Sequence, residues 1–131
     1  MNRRELGTRA EDLAVSFLRL NGCEILARGY RHRRREIDII AREGGRIVFV
    51  EVKFRRNARR GLPRESVGRE KQEHIVSAAR AYLAERGLRG SACRFDVVEI
   101  RLSADSRGAQ ILQLAGAFGA EPRGGMAGRR W

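Results

Sequence analysis

Glu36-Ile37-Asp38-Ile39-Ile40-Ala41-Arg42-Glu43-Gly44-Gly45-Arg46-Ile47-Val48-Phe49-Val50-Glu51-Val52-Lys53 sets two β-branched runs on either side of a Glu43-Gly44-Gly45-Arg46 turn signal, the pattern of a β-hairpin. With the turn centred on Gly44-Gly45, Ile40 faces Phe49, Asp38 faces Glu51 and Glu36 faces Lys53. Side chains alternate along a strand, so this register predicts that Glu36, Asp38, Glu51 and Lys53 share one face. Directly opposite residues bring their Cβ atoms to roughly 4.5–5.5 Å, where like charges destabilise the pair. Ile47-Val48-Phe49-Val50 is apolar on both faces, as in a buried central strand, and unpaired charge in such a strand is expensive. Two readings compete: nearby arginines neutralise solvated carboxylates, or a hard divalent cation such as Mg²⁺ takes them as oxygen ligands. The buried setting favours the cation.

Working outward, the 131 residues suit one domain with a modest layered core. A formal net charge of +12 and a sequence pI near 11.4 point to a polyanionic partner, nucleic acid before an anionic membrane surface. Aromatic residues make up only 6% of the chain, which argues against a stacking platform for single-stranded bases. No apolar run is long enough to span a bilayer and no signal-peptide pattern opens the chain, so the expectation is a cytoplasmic protein without a membrane partner. Cys23 and Cys93 have neither metal-type nor CxxC spacing and read as buried free thiols of a reducing compartment. Among 28 basic residues only Lys53 and Lys71 are lysines. In so arginine-rich a chain, a retained lysine suggests a need for a compact ammonium of tunable pKa.

Asn2-Arg3-Arg4-Glu5 resembles a capping box, and Leu6, Ala10, Leu13, Ala14, Phe17 and Leu18 recur at helical spacing, so a first helix is predicted from Arg3 to Leu20, stopped by Asn21-Gly22. Glu11 falls on the border of its apolar face, either turned toward the sheet or paired on the surface with Arg4 or Arg9. Glu24 to Arg28 reads as a short strand, followed by the basic run Arg31-His32-Arg33-Arg34-Arg35. A second run, Arg55-Arg56-Asn57-Ala58-Arg59-Arg60, follows Lys53. Such runs are usually solvated, but these flank the carboxylates and could hold phosphates on either side without reading sequence. A second helix is predicted after Ser66 or Gly68, burying Ile75, Ala78, Ala79, Tyr82 and Leu83 and stopping at Gly87. Lys71 lies on its inner face, as a snorkelling stem or as a phosphate contact near the helix start. Arg94 to Ile100 alternates as a strand and Ala109 to Leu114 as a weaker edge strand. From Gly119 the chain is Gly- and Arg-rich without hydrophobic period, which predicts a disordered tail over 119–131.

The order helix, strand, hairpin with Asp then Glu-x-Lys, helix, strand resembles the PD-(D/E)XK nuclease core. The segments Gly7 to Ala14, Glu36-Ile37-Asp38-Ile39-Ile40, Val48-Phe49-Val50-Glu51-Val52-Lys53, Lys71 and Arg94-Phe95-Asp96-Val97-Val98 resemble the YraN-like family of uncharacterised bacterial proteins, related in fold to archaeal Holliday-junction resolvases. The resemblance covers Leu6 to Phe118 and implies an α/β, restriction-endonuclease-like domain over 1–118, with a mixed sheet of four or five strands in the order αβββαββ. It further implies that Asp38, Glu51 and the Val52 carbonyl bind Mg²⁺ or Mn²⁺, that Lys53 orients or deprotonates the attacking water, and that Glu11 serves the same centre. Glu36 would support these ligands from behind. Two positions depart from the family pattern: Ala10 and Arg35 stand where glycines are expected before Glu11 and Glu36.

The function implied is metal-dependent endonuclease action on DNA, leaving 5′-phosphate and 3′-hydroxyl ends. Arg31, Arg33, Arg34, Arg35, Arg55, Arg56, Arg59, Arg60 and Lys71 would grip the backbone, which favours shape, such as a branch or junction, over sequence. A homodimer would suit branched DNA by presenting two cutting sites. The alternatives are an accessory nucleic-acid-binding protein of repair or recombination that keeps the fold without turnover, and an RNA or ribosome-associated binding module.

Overall fold

The computed structural model describes residues 2–56, 67–102, 107–118 and 129–130, the side chains of residues 56, 129 and 130 excepted. The first helix, α1 (Arg3–Leu20), begins with the capping box read from sequence: Asn2 accepts from the Glu5 N–H at 2.9 Å and Glu5 accepts from the Asn2 N–H at 3.1 Å, which satisfies two donors that a helix start leaves unpaired. Then come β1 (Glu24–His32), β2 (Arg35–Glu43), β3 (Arg46–Arg56), α2 (Arg69–Glu85), β4 (Ala92–Leu102), β5 (Ala109–Phe118) and a two-residue β6 (Arg129–Arg130). The second helix buries the five residues its periodicity predicts, Ile75, Ala78, Ala79, Tyr82 and Leu83.

The five long strands lie in sequence order, β3 in the centre, and β6 pairs with the start of β4. Neighbours are antiparallel except β3 and β4, which run parallel. That pair is joined through α2, the crossover a parallel pair requires. This α/β arrangement, αβββαββ with a mixed open sheet, is that of a restriction-endonuclease-like core. On one face Ile37, Ile40, Phe49, Phe95 and Val97 pack with α2, and on the other Ile39, Ala41, Val48, Val50, Val98 and Ile100 pack with α1. Burial on both faces explains why the central strands read as continuous apolar runs. No helix among the described residues is long and apolar enough to cross a membrane.

Two expectations need correction. The first strand does not stop at Arg28: it continues to His32, and Arg33-Arg34 form the turn into β2, with Arg33 at φ 61°. The basic run is thus a hairpin tip, because pairing with β2 extends the ladder to His32↔Arg35. The last long strand reaches Phe118 instead of Leu114. Of the expected tail, only Arg129–Arg130 fall within the described residues.

Candidate metal and phosphate site

The hairpin register is the one the turn dictates, with Ile40 opposite Phe49 and Glu43 opposite Arg46, but the β2–β3 ladder ends at Ile39↔Val50. Beyond it the strands part, so Asp38 and Glu36 do not face Glu51 and Lys53 as ladder partners. The Val52 N–H, which would have continued the ladder, donates to Asp38 Oδ2 at 2.8 Å. A side chain thereby replaces a backbone carbonyl in satisfying a buried donor.

Strict alternation also breaks at Asp38. Ile37 and Ile40 join the α2 side while Ile39 and Ala41 join the α1 side. The pairs Tyr30↔Ile37 and Arg28↔Ile39 set Gly29 opposite Asp38, and Gly29 has φ 60°. The first strand changes face at the same point: Tyr30 hydrogen-bonds Glu85 of α2, whereas Arg28 reaches Glu11 and Asp12 of α1. Glycine permits the left-handed backbone such a break requires. One face for all four hairpin residues is therefore not what forms. Glu51 and Lys53 follow Phe49 on the α2 side, Asp38 occupies the gap between strands, and Glu36 adjoins Ile37 toward α1.

Asp38 and Glu51 still meet. The Asp38 carboxyl is raised from 3.8 to about 7, by burial first and by the Glu51 charge second, against the opposing Val52 hydrogen bond. Glu51 lies close enough to hydrogen-bond to it. The Glu51 side chain is 6% exposed, and its Oε2 lies 3.5 Å from Lys53 Nζ and 3.3 Å from Lys71 Nζ. Lys71 thus reaches the carboxylate from the first turn of α2 with about half its own side chain exposed.

Glu11, on α1, is near enough for its charge to help raise the Asp38 carboxyl. Burial raises its carboxyl, Arg28 lowers it and Glu36 raises it again; its partner is Arg28, at 3.6 Å, and not the helix neighbours Arg4 or Arg9. Glu36 is exposed and lies 3.7 Å from Arg31. Arg35 donates to Ser77 Oγ of α2 at 2.6 Å, so it is tied to the helix and not aimed at the carboxylates. Arg33 and Arg34 are exposed at the turn between β1 and β2, and Arg55 is half exposed. Arg59, Arg60 and the Arg56 side chain lie outside the described residues.

Among the described residues no three His, Cys, Asp or Glu side chains form a ready metal-binding group. Half-buried Asp38 and buried Glu51 are neighbouring, mutually repelling carboxylates, a combination of the kind that a hard divalent ion relieves. Sequence reasoning missed two buried acids. Asp96 is fully buried, holding Arg94, Gln113 and the Gly116 N–H. Glu99, 1% exposed, is held between Arg55 and Arg101. The signal was present as i, i+2 charge pairs in a strand, Arg94/Asp96 and Glu99/Arg101.

Residues 10–100 match the model of Uncharacterised protein family UPF0102. A UPF0102 protein of Caldicellulosiruptor saccharolyticus is 42% identical over 90% of this chain and 100% of its own length. One from Symbiobacterium thermophilum is 46% identical over 79% of this chain and 88% of its own, and one from Chlorobium phaeobacteroides is 49% identical over 73% and 76%. The matched span holds the whole Asp38–Glu51–Lys53–Lys71 cluster, and the chain belongs to Uncharacterised protein family UPF0102, the YraN-like family that its hairpin segments resemble.

Proposed function

We propose that this chain is a metal-dependent endonuclease that hydrolyses DNA phosphodiester bonds, with branched or junction DNA as its preferred substrate. The observation that carries this reading is the meeting of the half-buried Asp38 and buried Glu51 carboxyls beside two ammonium groups. Asp38, Glu51 and the Val52 carbonyl would hold Mg²⁺ or Mn²⁺. Such an ion supplies charge that stabilises phosphoryl oxygens and acidifies an attacking water.

The protein's own groups do the rest. The Val52 N–H fixes Asp38 through Oδ2 and leaves Oδ1 outside that bond. Lys53, 3.5 Å from Glu51, would orient a water between that carboxylate and a phosphate, and its compact ammonium would also meet charge developing on the phosphate. Lys71 brings a second positive charge to the same oxygen from α2. Arg31, Arg33 and Arg34 at one hairpin tip and Arg55 on β3 would hold the backbone on either side, which reads shape more than sequence. A two-fold dimer follows if the substrate is itself branched.

A second reading rests on the same ammonium groups. Because the Lys53 and Lys71 ammonium groups themselves offset the Glu51 charge, the fold could serve an accessory DNA-binding protein that never cuts. A cleavage panel of linear, flapped and four-way DNA with Mg²⁺ or Mn²⁺ separates them. Cutting that Asp38→Ala abolishes while binding persists supports the nuclease; tight binding without cutting on any substrate supports the accessory protein.

A further inference from the structure

Glu51, Lys53 and Arg55 occupy alternate positions of β3, so they form a row on the α2 face with steps of roughly 6.7 Å. In register with this row on β4, Lys53 pairs with Glu99 and Arg55 with Arg101. Glu99 is 1% exposed and uses both oxygens: Oε1 accepts from Arg55 Nε at 3.2 Å, and Oε2 accepts from Arg101 Nε in a short contact. A buried carboxylate needs a countercharge, and Arg101, 11% exposed, would provide one. The second guanidinium exceeds that need and gives the trio a net positive charge.

Arg55 is the member turned to solvent, with 47% of its side chain exposed. It binds Glu99 through Nε alone, and among the described residues its two terminal nitrogens have no partner. Those nitrogens are the half of the fork that grips a phosphate in two places. Holding the guanidinium by its inner edge removes rotamer freedom that a loose arginine would lose on binding.

We propose that Glu99 is a positioning residue that fixes Arg55 as a phosphate-binding fork beside Lys53, gripping the backbone phosphate next to the one that is cut. This inference rests on the nuclease reading for which phosphate lies at Lys53. The ligand class is the nucleic-acid backbone itself, independent of base. A structural ion pair would show as lost stability alone, whereas a positioning role couples Glu99 to Arg55 in binding.

The test is the affinity of labelled four-way DNA in chelator, by fluorescence anisotropy across a salt series. Arg55→Ala and Glu99→Gln should each weaken binding about tenfold, and Arg55→Ala should reduce the slope of log affinity against log salt by about 1. The double variant should bind like Arg55→Ala, and Arg89→Ala, a charge-matched control at an exposed position in the turn between α2 and β4, should change affinity less than about twofold. Multiplying effects, or an Arg55→Ala loss no larger than the control, overturns the proposal. If Glu99→Gln does not fold, Arg55→Lys decides: a loss like that of alanine supports the held fork, and parental affinity overturns it. The nuclease reading is scored separately by Mg²⁺-dependent cutting of the same DNA: coupling without cutting removes only the catalytic claim, and cutting without coupling removes only the role of Glu99.

Discussion

Asp38 and Val52 are joined by a 2.8 Å hydrogen bond from the backbone N–H of one to the carboxylate of the other, at the point where β2 and β3 part. The separation of the strands opens a gap, and the bond holds an acid in it next to Glu51.

Stability should depend on pH through this acid. A carboxyl raised from 3.8 to about 7 binds more protons folded than unfolded, so metal-free protein loses stability as pH rises between about 4 and about 7. Asp38→Asn removes that loss and can still accept from Val52. Urea unfolding in chelator should find the variant more stable by about 1–2 kcal/mol at about pH 8, after discounting for partial exposure, with the gap closing toward about pH 4. Equal stability at the higher pH would contradict the account.

Divalent cations should reverse the same penalty. At about 100 times its Kd, Mn²⁺ should raise the Tm of the parent by roughly 5–10 °C near pH 8, and by less near pH 5, where protons compete for Asp38. Asp38→Asn and Glu51→Gln should lose the shift. Retention of the full shift in both variants would place the ion elsewhere.

Lys53 should matter to cutting more than to binding. Lys53→Ala is expected to lower the cleavage rate about 100-fold or more while DNA affinity changes about threefold or less, and Lys53→Arg should not rescue it, since a guanidinium is planar and permanently protonated. Single-turnover cleavage and anisotropy on the same DNA measure the two effects. A loss confined to affinity would reduce Lys53 to a phosphate contact.

Gly29 offers a test of the face change. Gly29→Ala places a side chain at φ 60° with its Cβ 3.5 Å from Glu36 Oε2, and should destabilise by about 1–2 kcal/mol. Gly7→Ala, in α1 with nothing within 4 Å of the added carbon, should instead stabilise by about 0.5–1 kcal/mol. Comparable urea midpoints for the two would remove the backbone requirement at Gly29.

Much of this was legible in the residues. The capping box fixed the start of α1, the apolar period of α2 named its buried face, and the Gly44-Gly45 turn gave the hairpin register. What pattern could not reach was the break at Asp38: strict alternation puts Glu36 with Asp38, and only a left-handed Gly29 and a side chain competing for the Val52 N–H reveal otherwise. Asp96 and Glu99 were hidden for a related reason. Charge normally signals the surface, and their burial depends on arginines two positions away in β4 together with β3 and β5 partners.

The most direct measurement of the central claim is anomalous diffraction from a crystal soaked in Mn²⁺. The account predicts a peak bridging Asp38 and Glu51, with oxygen ligands at roughly 2.0–2.3 Å including the Val52 carbonyl, and its loss in Asp38→Asn. A crystal that binds Mn²⁺ only elsewhere, with Lys53 and Lys71 still paired to Glu51, would contradict it.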